Sequence, residues 1–222
     1  MQIENANGYI FYPVKSGQEV SEAISELLKW YKKTNSWDPI VAISAFHYQF
    51  EVIHPFEDGN GRIGRLLSIL QLCDKNLLDY PILDLSTWLR NRKHLYHQSF
   101  QKVTDQMDWN FQIGVISAAI QGAADGLIKE IEELVRLQQK EREKVRKSFR
   151  THSRAIEVLD FAFTEVEFTV PQVSAELGIS FKSANALVSK LVSLGSLTTI
   201  GDAVYERRFK NAPLYDYALR GF

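Results

Sequence analysis

Residues 54–65 read HPFEDGNGRIGR, the segment of the chain richest in chemistry. His54 can act as a general base, because imidazole is the side chain whose ordinary pKa lies nearest neutrality. Glu57 and Asp58 are carboxylates, and a carboxylate beside a polyphosphate is a natural Mg²⁺ ligand. Gly59 and Gly61 flank Asn60 and let the backbone turn sharply and approach a ligand closely. If a helix starts there, its first amides and its dipole make an anion site. Arg62 and Arg65 are three apart, on one helix face, and can fork onto phosphate oxygens. Transfer of a phosphate-containing group therefore has a base, a metal ligand, an anion cradle and two counter-charges within 12 residues.

The same letters contain a false lead. Gly59-Asn60-Gly61-Arg62-Ile63-Gly64 is literally G-x-G-x-x-G, the dinucleotide fingerprint. That fingerprint has meaning only between a strand and a helix of a βαβ unit. Residues 39–53 have helical rather than strand periodicity, no βαβ alternation follows, and Arg62 would crowd the pyrophosphate. The dinucleotide reading is set aside.

HPFEDGNGRIGR resembles the Fic family motif, H-x-F-x-[DE]-G-N-G-R-x-x-R, at every specified position. The preceding AFHYQFEVIHPF is similar to the helix before the family's active loop, and the early IFYP to its flap. The resemblance implies a protein adenylyltransferase that moves AMP from Mg²⁺-ATP to a Ser, Thr or Tyr hydroxyl, releasing pyrophosphate. It assigns His54 as catalytic base and Asp58 as the Mg²⁺ ligand. Gly59, Asn60, Gly61, Arg62, Gly64 and Arg65 become the ATP-binding set, with Phe56 pointing inward to lock the loop. Tyr96 falls where the family often places an aromatic pair near adenine, here Leu95-Tyr96. Tyr9, Ile10, Phe11 and Tyr12 become a flap that docks the target. Gly-Asn-Gly favours nucleotide transfer over the phosphorylation chemistry of Doc-type relatives. Many family members carry an inhibitory helix, [ST]-x-x-x-E-[GN], whose glutamate pairs with the second motif arginine, here Arg65. No stretch of this sequence matches it, so the expectation is an unrestrained enzyme that modifies itself.

The elements that must position these residues are mostly helices. Asn7-Gly8 between Gln2–Ala6 and Tyr9–Tyr12 reads as a hairpin turn, since both residues tolerate positive φ. Val20, Ile24, Leu27, Leu28 and Tyr31 recur at helical spacing. Asp38-Pro39 reads as an N-cap followed by proline at the first helical position, ahead of the stripe Ile40, Ile43, Phe46, His47, Phe50 and Ile53. A further helix starts at Asn60-Gly61, another at Pro81, and a long one after Asp108 runs towards Phe149. Its end, KEREKVRKSFR, carries six basic and two acidic residues and marks a domain end. From Thr151, three helical segments, stops at Gly178 and Gly195, and the pair LTTI and AVYERRF resemble a winged helix-turn-helix, which some Fic members also carry. The expectation is a mainly α fold: a Fic-type helical core with a small hairpin over 1–150, then a winged helix over 151–222.

Composition sets the outer limits. The 222 residues include 26 Lys plus Arg and 27 Asp plus Glu, a net charge of −1, which excludes a generally basic nucleic-acid coat. Residues 151–222 hold seven basic and eight acidic residues, a weak footprint for DNA. The second functional reading is nonetheless a DNA-binding regulator whose Fic core only senses nucleotide. Cys73 is the lone cysteine, so no internal disulfide forms, a reducing cytoplasmic setting is expected, and the residue itself reads as packing. No run of 18 apolar residues is present and no membrane partner is expected. The partners expected are a hydroxyl-bearing target protein, this chain itself, a second copy and, through the winged helix, DNA. His47 reads as a satisfied core histidine; His94 and His97 read as surface or packing residues. Trp30, Trp37, Trp88 and Trp109 read as core or domain-face residues.

Overall fold

Asp38 and Pro39 start the helix on which the site depends. The computed structural model describes residues 17–149, 154–201 and 206–219, with the backbone of 3–4 and 10–11. The Asp38 carboxylate accepts from the backbone N–H groups of Ile40 and Val41 at 2.8 and 3.2 Å, a side-chain N-cap. The helix it opens, α2 (Pro39–Ile53), follows α1 (Gly17–Tyr31) and precedes α3 (Asn60–Asp74). α2 is apolar on nearly every side, as expected of a helix buried within a domain. Phe46, Phe50 and Ile53 pack with Leu27, Ile24 and Trp30 of α1 and with Ile63 and Leu67 of α3. Ile43 and Tyr48 enter a second cluster with α4 (Leu85–Asn91), α5 (Lys93–Gln106) and the start of α6 (Trp109–Ser148).

Two of these helices begin at acids. Asp84 accepts from the Thr87 N–H at 3.1 Å, so α4 starts at Leu85 rather than at Pro81, where the sequence suggested it. Asp108 accepts from the Phe111 N–H at 3.1 Å and opens α6. An 18-residue window of α6 has a mean hydropathy of 1.3, enough by length and composition to span a bilayer. Within that apolar half, Val115, Ile116, Ala119 and Ala123 are buried in the core. β1 (Ile3–Glu4) and β2 (Ile10–Phe11) pair antiparallel, Ile3 with Phe11 and Glu4 with Ile10. The Asn7-Gly8 turn, Tyr9 and Tyr12 lie outside the described residues.

The contacts divide the chain into Met1–Ile128 and Lys129–Phe222. The sequence suggested a break at 150; the contacts put it inside α6, because Val145 and Phe149 pack with the second core. That core belongs to α7 (Ala155–Thr164), α8 (Val170–Leu177) and α9 (Phe181–Ser193). A three-stranded antiparallel sheet joins them: β3 (Phe168–Thr169), β4 (Leu197–Ile200) and β5 (Arg208–Asn211), in the order β3-β5-β4. Among the described residues the second hairpin strand is RFKN; of the AVYERRF read from the sequence, residues 203–205 lie outside the described residues, and Arg208 and Phe209 fall in the strand. Its register sets Phe209 opposite Phe168 and Leu197 opposite Asn211. β3 and the closing helix α10 (Ala212–Leu219) were not read from the sequence.

α4 carries part of the site, and Gly122 of α6 seats it. A Cβ at Gly122 would collide with the Trp88 ring of α4. Gly122→Ala should therefore destabilise the first unit by about 1–3 kcal/mol through overpacking, read from urea unfolding. A change below about 0.5 kcal/mol would mean that Trp88 moves aside freely.

Candidate active site

The motif is the link between α2 and α3, held by its own polar groups. His54 ends α2 in the left-handed region, φ 52° and ψ 61°, with its N–H donating to Phe50 O at 3.1 Å. A side-chain residue pays about 1–2 kcal/mol for that conformation. Gly59, φ 88°, is the N-cap of α3, where glycine is at ease. Between them the Asn60 side chain accepts from Phe56 N at 2.9 Å and donates to Phe56 O at 2.6 Å. Asn60 is 2% exposed, so its amide braces the loop from within. Phe56, expected to point inward, is 48% exposed; the Asn60 bonds hold the loop in its place.

His54 Nδ1 lies 3.3 Å from the Glu51 carbonyl. A carbonyl only accepts, so Nδ1 carries a proton in this contact, and in the neutral ring the lone pair lies on Nε2, the tautomer a base requires. His54 and Gly61 line two cavities. A shallow one of about 280 Å³ is formed by the loop with Asp58, Gly59 and Arg62. A deeper one of about 460 Å³ is lined by Glu51, Arg65, Ser86, Arg90, Lys93 and Tyr96, among others. The first amides of α3 have no intrahelical acceptors, so the loop end offers donors as well as cations. Arg62 and Arg65, three apart on α3, thus serve different cavities.

Beneath Arg65 lies a buried polar chain. Arg65 Nε donates to Ser86 Oγ at 2.9 Å. Ser68 donates its hydroxyl to Gly64 O at 2.9 Å, and His47 Nδ1 is 3.0 Å from Ser68 Oγ. Since the Ser68 proton is committed, His47 Nδ1 is the donor there and Nε2 is an acceptor. Nε2 then takes the hydroxyl proton of Tyr96, 2.7 Å away. The Tyr96 oxygen keeps its lone pairs for the Arg65 guanidinium beside it. Burial lowers the His47 pKa to about 4 and raises that of the Tyr96 phenol, so both are neutral at pH 7. Tyr96, expected at the adenine, lines the deeper cavity, but its hydroxyl is engaged with His47 and its ring packs edge-on to Phe100.

Gly64 has a packing reason. A Cβ there would collide with Glu51 Oε1 and sit 3.3 Å from His47 Cε1. Gly61 is similar: its Cβ would begin 3.0 Å from Arg65 Nη1. Asp58 is open, accepting from Gly59 N at 2.6 Å and pairing with Arg62 at 2.9 Å. Among the described residues, no group of three or more His, Cys, Asp or Glu is placed to hold a metal ion. A larger apolar groove of about 600 Å³, walled by Leu27, Trp30, Trp37 and Trp109, is lined by none of residues 54–65.

Residues 2–72 match the Fic/DOC family. The chain is 40% identical over 60 residues to a probable protein adenylyltransferase of Aquifex aeolicus (strain VF5), covering 27% of this chain and 19% of that one. It is 41% identical over 59 residues to a protein adenylyltransferase of Caenorhabditis elegans, covering 26% of this chain and 11% of that one. The chain thus spans a fifth or less of these curated relatives. A Fic family protein from Desulfovibrio desulfuricans G20 shares the fold, with a TM-score of 0.52 and 23% identity over 95% of this chain and 60% of that one.

Around the Fic motif, sequence reasoning missed Glu51, Ser68 and Ser86. Glu51 had a signal: a carboxylate on an otherwise apolar helix, four residues from His47 and three from His54. Ser68 and Ser86 had none, since lone serines occur everywhere.

Two stability outcomes follow. Tyr96→Phe removes the donor to His47 Nε2 and leaves a buried acceptor unpaired, at a cost of about 1–3 kcal/mol in urea unfolding; a neutral result would contradict the chain drawn above. The second concerns pH. Burial holds the Glu51 pKa near 7, against its ordinary 4.5, with Arg65 opposing. The folded state then binds more protons there than the unfolded chain, and stability falls as pH rises from 4.5 to 7. His47 acts the other way: between pH 4 and 6.5 the unfolded chain binds more protons, and stability rises with pH. Glu51→Gln removes the falling component alone. Its stability relative to wild type should climb steadily from pH 4.5 to 7; a constant difference would show that Glu51 is ionised throughout.

Proposed function

We propose that this chain is a protein adenylyltransferase that moves AMP from Mg²⁺-ATP to a hydroxyl side chain of a protein. The observation that carries the reading is the placing of His54: Nδ1 is tied to the Glu51 carbonyl, which leaves the lone pair of the neutral ring on Nε2, and the residue lines both cavities. In the reaction, the hydroxyl oxygen attacks the α-phosphorus of ATP and its proton passes to His54 Nε2. The bond to the β,γ-phosphates breaks, and pyrophosphate leaves with the bonding electrons. Such transfers rest on positioning and charge neutralisation more than on covalent catalysis. Arg65, held at Ser86, and Arg62 supply positive charge to the leaving group, and the α3 amides near Gly59, Asn60 and Gly61 bind phosphate oxygens. Gly64 acts indirectly, by letting α2 approach.

Asp58 fits Mg²⁺. The ion is usually held by one or two carboxylates together with substrate phosphates, without an all-protein cage, and Asp58 presents one exposed carboxylate at the loop mouth. When bound, the ion would neutralise phosphate charge. The Arg62 partner of Asp58 is no obstacle: the two side chains are 73% and 90% exposed, and such a pair is worth at most about 1 kcal/mol.

In this reading, β2, with Ile10 and Phe11, offers an extended edge to the target segment, and backbone pairing supplies affinity with little sequence demand. The second unit is a winged helix that docks protein rather than DNA, in a cytoplasmic setting. Three of its basic side chains are engaged within the protein: Lys190 lies over the Phe149 ring at 4.1 Å, Arg208 pairs with Glu167 at 3.3 Å, and Arg207 donates to Asn185 at 3.2 Å.

The test is label transfer from α-labelled ATP to the chain itself or to lysate proteins. His54→Ala should reduce transfer by about 10²–10⁴-fold with ATP affinity kept, whereas Arg65→Ala should weaken ATP binding as well. Transfer at wild-type rate by His54→Ala would overturn the assignment.

A further inference from the structure

We propose that Glu51 is a positioning residue for Arg65: a buried carboxyl behind the arginine whose protonation sets how freely the guanidinium serves an incoming phosphate. The proposal rests on the nucleotide-transfer reading and deepens it.

Glu51 lies on α2 one turn before His54 and faces α3 across the gap left by Gly64. Its Oε1 fills the space that a Gly64 side chain would take and lies 3.9 Å from where a Gly61 side chain would begin. Arg65 Nη1 borders the same Gly61 position, so acid and guanidinium share one corner of the deeper cavity. Yet Glu51 Oε1 is fully buried and has no hydrogen-bond partner. A buried carboxylate oxygen without a partner is costly; as a carboxylic acid the group avoids burying a charge.

The groups facing Glu51 come from four helices. On α2 are His47, whose Nε2 is 4.0 Å from Oε1, and His54. α3 brings Arg65, α4 brings Arg90, and α5 brings Tyr96, Lys93 and His97. His47 and Tyr96 are neutral near pH 7, and Arg65 is the cation that draws the Glu51 pKa down against burial. The balance leaves Glu51 titrating near 7, where a change in the charge around it matters most.

A polyphosphate entering this cavity changes that charge. Its oxygens engage Arg65 and add negative potential, so Glu51 is driven to the acid form and takes up a proton. Conversely, ionised Glu51 competes for Arg65 and repels the phosphates. Nucleotide binding and protonation of Glu51 are thus linked, with the same coupling in each direction. The motif arginine then has an acid behind it drawn from the core helix itself, although the sequence offers no inhibitory-helix pattern.

The experiment is Mg²⁺-ATP binding by calorimetry from pH 6 to 8, for the full chain and for Glu51→Gln. If binding raises the Glu51 pKa by about one unit, wild-type affinity should fall roughly fivefold more than that of the variant between pH 6 and 8. Comparing the two proteins removes the titration of ATP itself, which both share. In buffers of different ionisation enthalpy at pH 7.5, wild type should take up about half a proton more than the variant. Equal pH profiles and equal proton uptake, with nucleotide bound, would overturn the role of Glu51 and leave the transfer reading standing. Absence of nucleotide binding in both proteins would overturn both. If the variant fails to fold, the side-chain carboxyl of Glu51 is followed by ¹³C NMR in the unaltered chain. It should titrate near neutrality without nucleotide and higher with it; a carboxyl ionised throughout this range in both states overturns the proposal.

Discussion

The close approach of α2 and α3 at Gly64 is the constraint on which the site depends. Without a side chain there, His47 and Glu51 can lie directly against α3. That contact lets His47 reach Ser68 on one side and Tyr96 on the other, which fixes its tautomer and leaves the Tyr96 oxygen facing Arg65. A Cβ at position 64 would meet the Glu51 carboxyl and crowd His47 Cε1, so those two side chains would have to shift. The glycine that completes a misleading dinucleotide pattern thus has a use unrelated to a nucleotide fold.

The loop is over-determined in a second way. Two left-handed residues, His54 and Gly59, bracket it, and only one of them is a glycine. A histidine in that region is strained, and the strain persists because its N–H completes the last turn of α2 and its ring bonds the Glu51 carbonyl. One backbone conformation therefore ends a helix and orients the imidazole. Asn60 then clamps Phe56 from the far side, so residues between the two turns have little freedom. Under the proposed transfer reaction, such fixing of His54 would matter more than any single charge, since a base displaced by an ångström loses much of its effect.

Much of this was legible in the sequence, for definite reasons. Asp38-Pro39, Asp108 and the glycines at 178 and 195 act through local backbone chemistry, so helix boundaries there could be read from neighbours in the chain. The motif was legible because its residue types are rare in combination. What stayed hidden depended on contacts distant in sequence. Asn60 looked like a ligand donor and is a brace, because its partner Phe56 is visible only once the loop is folded. Phe56 looked like the lock and is half exposed for the same reason. α4 was placed at Pro81 because proline is a conspicuous start signal, while Asp84 supplies the actual cap. β3 is two residues long and exists through its pairing with β5, which no local pattern encodes. The division inside α6 was invisible because the helix is continuous while its packing partners change.

The distribution of charge follows from the same packing. Beneath Arg65 the buried groups carry little charge near pH 7: His47 is neutral by desolvation, Tyr96 by its raised pKa, and Glu51, raised by burial against Arg65, is only partly ionised. Arg65, Arg90 and Lys93 at the cavity wall therefore meet little fixed negative charge from below. The fully open carboxylate, Asp58, stands at the mouth in a solvent-exposed pair, where water screens it. A low-dielectric pocket with cations on its walls and only a partly ionised acid beneath them focuses field outward and favours polyanions over neutral solutes. Were Glu51 permanently ionised, the inner end of that field would be cancelled beside Arg65. Burial of one carboxyl between two helices thus tunes the pocket for anions, and that burial is possible because position 64 has no side chain.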